Sequence, residues 1–234
     1  MRYAVITGAT QGIGKAVAEK FLSEGFNIAV CSRSKDDLTA VESEWNNKYP
    51  AGSIAKYPAD LSIKEDVVAF STYVLANFPH VDVLVNNAGA FFPGKLGEEP
   101  DGQLEKLMAT NLYSAYHLTR CFLPGMKERR SGHIFNMCSV ASLKAYDNGG
   151  AYSISKYALL GFSDNLRHEL MPDRIKVTAV CPGATYSRSW ASSGIDPERI
   201  MESADIATMI WSAYELSPRA NVDNIVLRPL QGDL

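Results

Sequence analysis

Short apolar runs recur at 3–7, 27–32, 53–57, 81–86, 132–138, 175–181 and 223–228. Their length and their polar or Gly/Pro flanks read as buried strands. Between them, apolar positions recur with helical spacing near 13–24, 35–48, 63–77, 101–129, 151–170 and 203–216. In the first of these, residues 13, 17, 18, 21 and 22 form one stripe. Strands that alternate with helices predict parallel βαβ units. Right-handed crossovers then give an α/β fold with a doubly wound seven-stranded parallel sheet, helices on both faces, and ligands beyond the carboxyl ends of the strands. No repeat, low-complexity segment or linker interrupts residues 1–234, which read as a single domain. The irregular stretch 184–202, rich in Ser and Gly and broken by Pro197, is either a substrate lid or a connecting loop.

The first strand runs straight into Thr7-Gly8-Ala9-Thr10-Gln11-Gly12-Ile13-Gly14 and then a helix. Strand, glycine-rich turn and helix form the context that a dinucleotide fingerprint requires. Glycines let backbone N–H groups approach a pyrophosphate, and the helix N-terminus supplies partial positive charge. Further along, Ser139, Tyr152 and Lys156 can make a proton-transfer device. A tyrosine hydroxyl titrates near pH 10, and a cation beside it brings that value toward neutrality. A spacing of four sets Tyr152 and Lys156 on one helix face. Taken alone, that spacing also fits a surface tyrosine packed on a lysine stem, and the turn and trio gain their meaning together.

Composition narrows the field. Hydrophobic residues make up 46% of 234, enough for a sizeable core, and the net charge of −3 gives no sign of nucleic-acid binding. No apolar run reaches membrane-spanning length, and the chain enters a strand at once, which predicts no signal peptide. Cys31, Cys121, Cys138 and Cys181 lack metal or disulfide spacing and read as small apolar residues in a reduced, cytoplasmic setting, with thiol reactivity the alternative. His80, His117, His133 and His168 show no ligand spacing, and no metal is expected.

Thr-Gly-x-x-x-Gly-Ile-Gly at 7–14, Asn86-Asn87-Ala88-Gly89, Asn111, Ser139, Tyr152-x-x-x-Lys156 and Pro182-Gly183 occur in order over nearly the whole chain. This resembles the short-chain dehydrogenase/reductase family in its single-domain form, with a Rossmann-type fold. The resemblance implies that Tyr152 donates a proton to a substrate carbonyl while Ser139 orients it. It further implies that Lys156 lowers the tyrosine's pKa and holds the nicotinamide ribose, and that Asn111 disturbs its helix and holds a relay water. The cofactor would lie on Gly8, Thr10, Gln11, Gly12, Ile13 and Gly14, on Asp60 and Leu61 at the adenine, and on Asn87, Ala88 and Gly89. Pro182, Gly183, Thr185 and Ser187 would sit near the nicotinamide, with Ser187 where the family often has threonine.

The second strand ends in Ser32, Arg33 and Ser34, where a carboxylate would be needed for an unphosphorylated ribose. An arginine there pairs with a 2′-phosphate and favours NADP(H), with Asp36 and Asp37 placed in the next helix's first turn. Phe91, Phe92, Tyr146, Tyr186 and Trp190 fall in loops above the nicotinamide and suggest a planar or apolar small-molecule carbonyl. The stretches MCSVASLKAY and VLRPLQGDL resemble sepiapterin-reductase-like members, in which Asp233 could meet a pterin. Reduction of a 3-oxoacyl thioester is the alternative, and an NADP(H)-binding sensor or scaffold the non-enzymatic one. By resemblance, the helices near 101–129 and 151–170 would form a homodimer or homotetramer.

Overall fold

The computed structural model describes residues 1–187 and 194–233. Among these, the apolar runs pair as β1 (Tyr3–Thr7), β2 (Asn27–Ser32), β3 (Ile54–Pro58), β4 (Val83–Asn86), β5 (His133–Met137), β6 (Lys176–Pro182) and β7 (Asn224–Leu227). They form one parallel sheet in the order β3-β2-β1-β4-β5-β6-β7. The register sets Val5 between Ala29 and Leu84, and Ile6 between Val30 and Val85. Because successive side chains point to opposite faces, one face presents Ala4, Ile6, Val83 and Val85, and the other Val5, Ala29 and Leu84.

Helices cover both faces. The first receives α1 (Gly12–Ser23), α2 (Lys35–Lys48) and α7 (Ser203–Glu215), through Phe21, Trp45 and Ile210. The second receives α3 (Lys64–Asn77), α5 (Ser114–Arg129) and α6 (Gly150–Leu170), through Phe70, Leu118 and Leu166. Each such side chain, once covered, contributes about 1.5–3 kcal/mol. Burial on both faces is why the strands read as unbroken apolar runs rather than alternating ones. The chain leaves β1 toward β2 on one side, and β4 lies on the other. That switch in direction opens a crevice at the carboxyl ends of β1 and β4.

The periodicity of 101–129 predicts one helix, and here the structure differs. It has α4 (Gln103–Met108), a π-helical turn at Ala109–Tyr113, and then α5. The widened turn carries Asn111, whose buried amide accepts from Ala90 N at 2.7 Å and donates to Ala90 O at 3.0 Å and Ser155 Oγ at 2.9 Å. Bonds to a neighbouring loop thus accompany the local change in helical pitch.

His133 opens β5 in full cover. Its Nε2 lies 2.8 Å from Thr178 Oγ1, and its ring stacks on Phe135 at 3.9 Å. Burial, helped by the charge of Lys176, pushes its pKa down to about 3. The unfolded chain therefore binds one more proton than the folded chain between about pH 6.5 and 3, so stability falls as pH drops through that window. The loss is up to about 1.4 kcal/mol per pH unit, and His133→Gln should flatten it. Denaturant unfolding across the window measures both slopes.

Candidate active site

The crevice is built first by a glycine-rich turn, residues 8–14. Gly8 and Gly12 hold φ of +64° and +53°, in the left-handed region that favours glycine. A Cβ on Gly14 would lie 2.3 Å from Gly8 O and 2.4 Å from Asn87 Nδ2, so only glycine fits there. The turn is tied to the end of β4. Thr7 Oγ1 accepts from the N–H groups of Asn87 and Ala88, each at 2.9 Å. In return, Asn87 Nδ2 donates to Thr7 O at 2.8 Å and Gly8 O at 3.1 Å. Gln11, at the N-cap of α1, makes no side-chain cap bond, so the first amides of the helix keep their donors for an anion. These features fit the pyrophosphate of a dinucleotide. Ser187 stands over the turn, its Cβ 3.0 Å from where a Cβ on Gly12 would be.

At the end of β2, Ser32 Oγ accepts from Thr10 Oγ1 at 3.3 Å, and the Arg33 side chain is exposed to solvent. Ser34 caps α2, accepting from Asp37 N at 3.1 Å, and Asp36 and Asp37 do occupy the first helical turn. Asp60, past β3, is raised by burial. Hydrogen bonds from the Ser62 hydroxyl and amide and the charge of Arg33 outweigh this, and its carboxyl titrates below the usual range. Arg33 and Asp60 thus share one electrostatic neighbourhood, lined by buried Leu61.

The trio meets beyond β5. Ser139 begins a short turn, Val140–Ser142, its Oγ accepting from Ala141 N at 3.1 Å and near enough to the Tyr152 hydroxyl to lower that group's pKa. Lys156 is buried and donates to Met137 O at 2.7 Å. A Cβ on Gly89 would lie 3.2 Å from Asn111 Oδ1 and 3.5 Å from Lys156 Nζ, which sets Gly89, Asn111 and Lys156 around one point. Burial lowers the Lys156 pKa to about 8, still above neutrality, so the amine is cationic at pH 7. The Tyr152 hydroxyl departs from expectation. Its ring centroid is 5.9 Å from Lys156 Nζ, and burial raises its pKa more than the Ser139 hydrogen bond lowers it. Beneath the trio, the neighbouring Cys181 thiol together with burial holds the Cys138 pKa well above its ordinary value and keeps its proton in place. No Cys138 thiolate then competes for the charge of Lys156.

Of the aromatics expected above this point, Phe91 packs on Tyr152 in a T-shaped contact with centroids 4.7 Å apart. Tyr146 lies near enough to Tyr152 to feel its charge, and burial, the larger effect, pushes it up to about 12. Phe92 turns away, under Lys106 Nζ at 4.8 Å. Tyr186 lies lower, near Gly12, and donates its N–H to Met201 O at 2.8 Å. Trp190 lies outside the described residues. Gly183, after Pro182, donates to Leu227 O at 2.8 Å, and Thr185 Oγ1 donates to Gly183 O at 3.0 Å. The tail folds over this strand end, with Asp233 paired to Arg228 and its Oδ1 3.2 Å from where a Cβ on Gly183 would be. One contact had no signal in the sequence. Glu99, in the loop after β4, accepts from Ala151 N at the start of α6. Nothing local marks a glutamate as the cap of a helix 52 residues away. Among the described residues, no three His, Cys, Asp or Glu side chains gather as metal ligands.

A parallel sheet with a glycine cradle at its switch point and a Ser–Tyr–Lys cluster beside it defines a dinucleotide-binding oxidoreductase site. The family model described as short chain dehydrogenase matches residues 2–197. The chain belongs to the short-chain dehydrogenase family. A sepiapterin reductase of Chlorobaculum tepidum is 32% identical, over 98% of this chain and 97% of that protein. A metagenomic short-chain oxidoreductase solved in complex with NADP is 33% identical, with a TM-score of 0.84 and coverage of 97% of this chain and 96% of that one. An alcohol dehydrogenase from the archaeon Thermococcus sibiricus, complexed with 5-hydroxy-NADP, is 27% identical with a TM-score of 0.90, covering 98% and 97%.

The cradle yields one prediction. Gly14→Ala drives a methyl group into Gly8 O and Asn87 Nδ2, and should abolish tight dinucleotide binding and destabilise the fold by roughly 1–3 kcal/mol. Cofactor-fluorescence titration and denaturant unfolding check the two effects separately.

Proposed function

We propose that the protein is a carbonyl reductase in which Tyr152 gives its proton to the oxygen of a ketone or aldehyde. The observation that carries this reading is the Tyr152 hydroxyl set beside Ser139, with cationic Lys156 one helical turn on and the glycine cradle beside them. The cofactor is NADP(H), and when bound it supplies the hydride. A tyrosine whose pKa is raised enters the reaction protonated, as a donor in the reductive direction must. The charge left on the phenolate then falls beside Lys156. Of that amine's three donors, Met137 O takes one, leaving two for ribose hydroxyls. Asn111 has both amide hydrogens in use, so a relay water would bind through the second lone pair of Oδ1.

Arg33, exposed at the end of β2, has the position and donors for a 2′-phosphate. Ser139 orients the substrate oxygen, and Phe91 and Tyr146 beside Tyr152 favour a planar, apolar carbonyl such as an aryl 1,2-diketone. A pterin with a side-chain carbonyl is supported by the likeness to a sepiapterin reductase. On that reading Asp233 would exchange Arg228 for the pterin's amino groups. Residues 1–234 act as one catalytic unit, with 184–202 as the lid. Pairing of two copies through α5 and α6 is supported by an apolar groove of about 480 Å³ between Tyr113, Tyr116 and Phe162.

Incubating the protein with NADPH and 1,2-diketones, pterins and 3-oxoacyl thioesters, while following cofactor absorbance, tests the reading. Tight NADPH binding without turnover of any of them would refute it. Tyr152→Phe should cut kcat by about 10²–10⁴-fold and spare NADPH affinity, as read by steady-state kinetics and cofactor titration. Arg33→Asp should weaken NADPH by about 10- to 100-fold and bring NADH level with it or ahead. An unchanged preference ratio would remove Arg33 from the 2′-phosphate site.

A further inference from the structure

The helix that carries Tyr152 and Lys156 begins without a cap of its own. Gly149 at its N-cap offers no side chain, and Asn148 just before it holds a φ of +59°. The missing acceptor comes from a distant loop. Glu99 presents Oε1 at 3.0 Å and Oε2 at 3.2 Å to Ala151 N, and its negative charge suits the positive end of a long helix. Two further contacts bind the same loop to the same place. Gly94 N donates to Asn148 O at 2.9 Å, and Phe91 packs on the Tyr152 ring in a T-shaped contact. The fit leaves no spare room, since a Cβ on Gly150 would lie 2.1 Å from Glu99 Oε1 and 2.4 Å from Gly94 O.

We propose that Glu99 is a positioning residue that clamps the 91–99 loop to the first turn of α6, fixes Phe91 against Tyr152, and so sets the slot that admits a planar carbonyl substrate. The proposal rests on the reading of Tyr152 as proton donor. It separates two functions that sit on opposite sides of the site. Tyr152 lies in the clamped first turn itself, next to Ala151, whereas Lys156 sits one turn deeper and is held by Met137 O, and none of the cofactor-side contacts described above involves Glu99. Losing the clamp therefore loosens the substrate slot and the turn that presents Tyr152, while leaving Lys156 and the cofactor cradle intact.

The test compares Glu99→Ala, Glu99→Gln and Gly150→Ala with the unaltered protein, using NADPH and 1-phenyl-1,2-propanedione. Glu99→Ala should raise KM for the diketone about tenfold, with kcat changed less than KM and NADPH affinity unchanged. Glu99→Gln keeps an acceptor for Ala151 N and should restore KM to near the original value. Gly150→Ala expels the carboxylate without removing it and should reproduce the KM rise. Hydrogen exchange should quicken about tenfold in residues 91–99 and the first turn of α6 for Glu99→Ala, and not for Glu99→Gln. Equal KM in all proteins overturns the proposal, and so does a loss of diketone and NADPH binding in the same proportion, which is what mere destabilisation gives. If the unaltered protein reduces no carbonyl, the reading of Tyr152 fails. Exchange then decides the clamp alone, and unchanged protection in Glu99→Ala overturns it.

Discussion

Everything in the crevice hangs on the reciprocal bonds between Thr7 and the Asn87-Ala88 segment. β1 and β4 are neighbours in the sheet but 80 residues apart in sequence, and both end at this point. One threonine oxygen takes two amide protons from the β4 side, and one asparagine amide returns two to the β1 side. The donors and acceptors released where the two strands stop are thereby satisfied across the gap rather than by water. The glycine turn inherits its shape from that closure. Gly14 can bear no side chain because the Asn87 amide fills the space. Cofactor binding and sheet integrity are thus one structural fact at this seam.

Electrostatics at the far end follow from desolvation more than from pairing. Burial presses Lys156 toward neutrality and Tyr152 toward its protonated form, so each is moved in the direction of lower charge. Lys156 nevertheless stays cationic at neutral pH, held by a carbonyl rather than an anion. The result is a lone positive charge close to a neutral phenol. That arrangement has little to gain until the phenol loses its proton, when an ion pair forms in a site of low polarity. Beneath it, the neighbouring Cys181 thiol and burial keep Cys138 protonated, so Cys138 adds no negative charge beside Lys156.

Much of this was legible in the sequence. The strand runs, the glycine turn and the helix pattern anticipate the sheet closely, because burial on both faces leaves an unbroken apolar signature and a tight turn leaves glycines. Tyr152 and Lys156 were legible because four residues make one helical turn. What escaped depends on contacts between distant parts of the chain. The disturbance at Asn111, which the family resemblance implies and the π-helical turn bears out, is invisible in the helical apolar stripe itself, since it comes with bonds to Ala90 and Ser155. Glu99 is one glutamate among many until the fold brings it to Ala151. The direction of the Tyr152 shift failed for the same reason, since the spacing to Lys156 gives proximity but not the extent of burial.

The bridge between Thr185 and Met201 has a wider meaning. Together with the bonds from Tyr186 N to Met201 O and from Met201 N to Ala184 O, it closes the stem of the excursion between β6 and α7. That ladder fixes where the chain leaves β6 and where it returns toward α7, and Arg199 adds a tie to the tail through Gly232 O and Asp233 O. A change in length between those two fixed points costs closure entropy that grows only slowly with length. Strand β6 and helix α7 would keep their places under such changes. The length of the excursion is thereby decoupled from the geometry of the strand end it springs from.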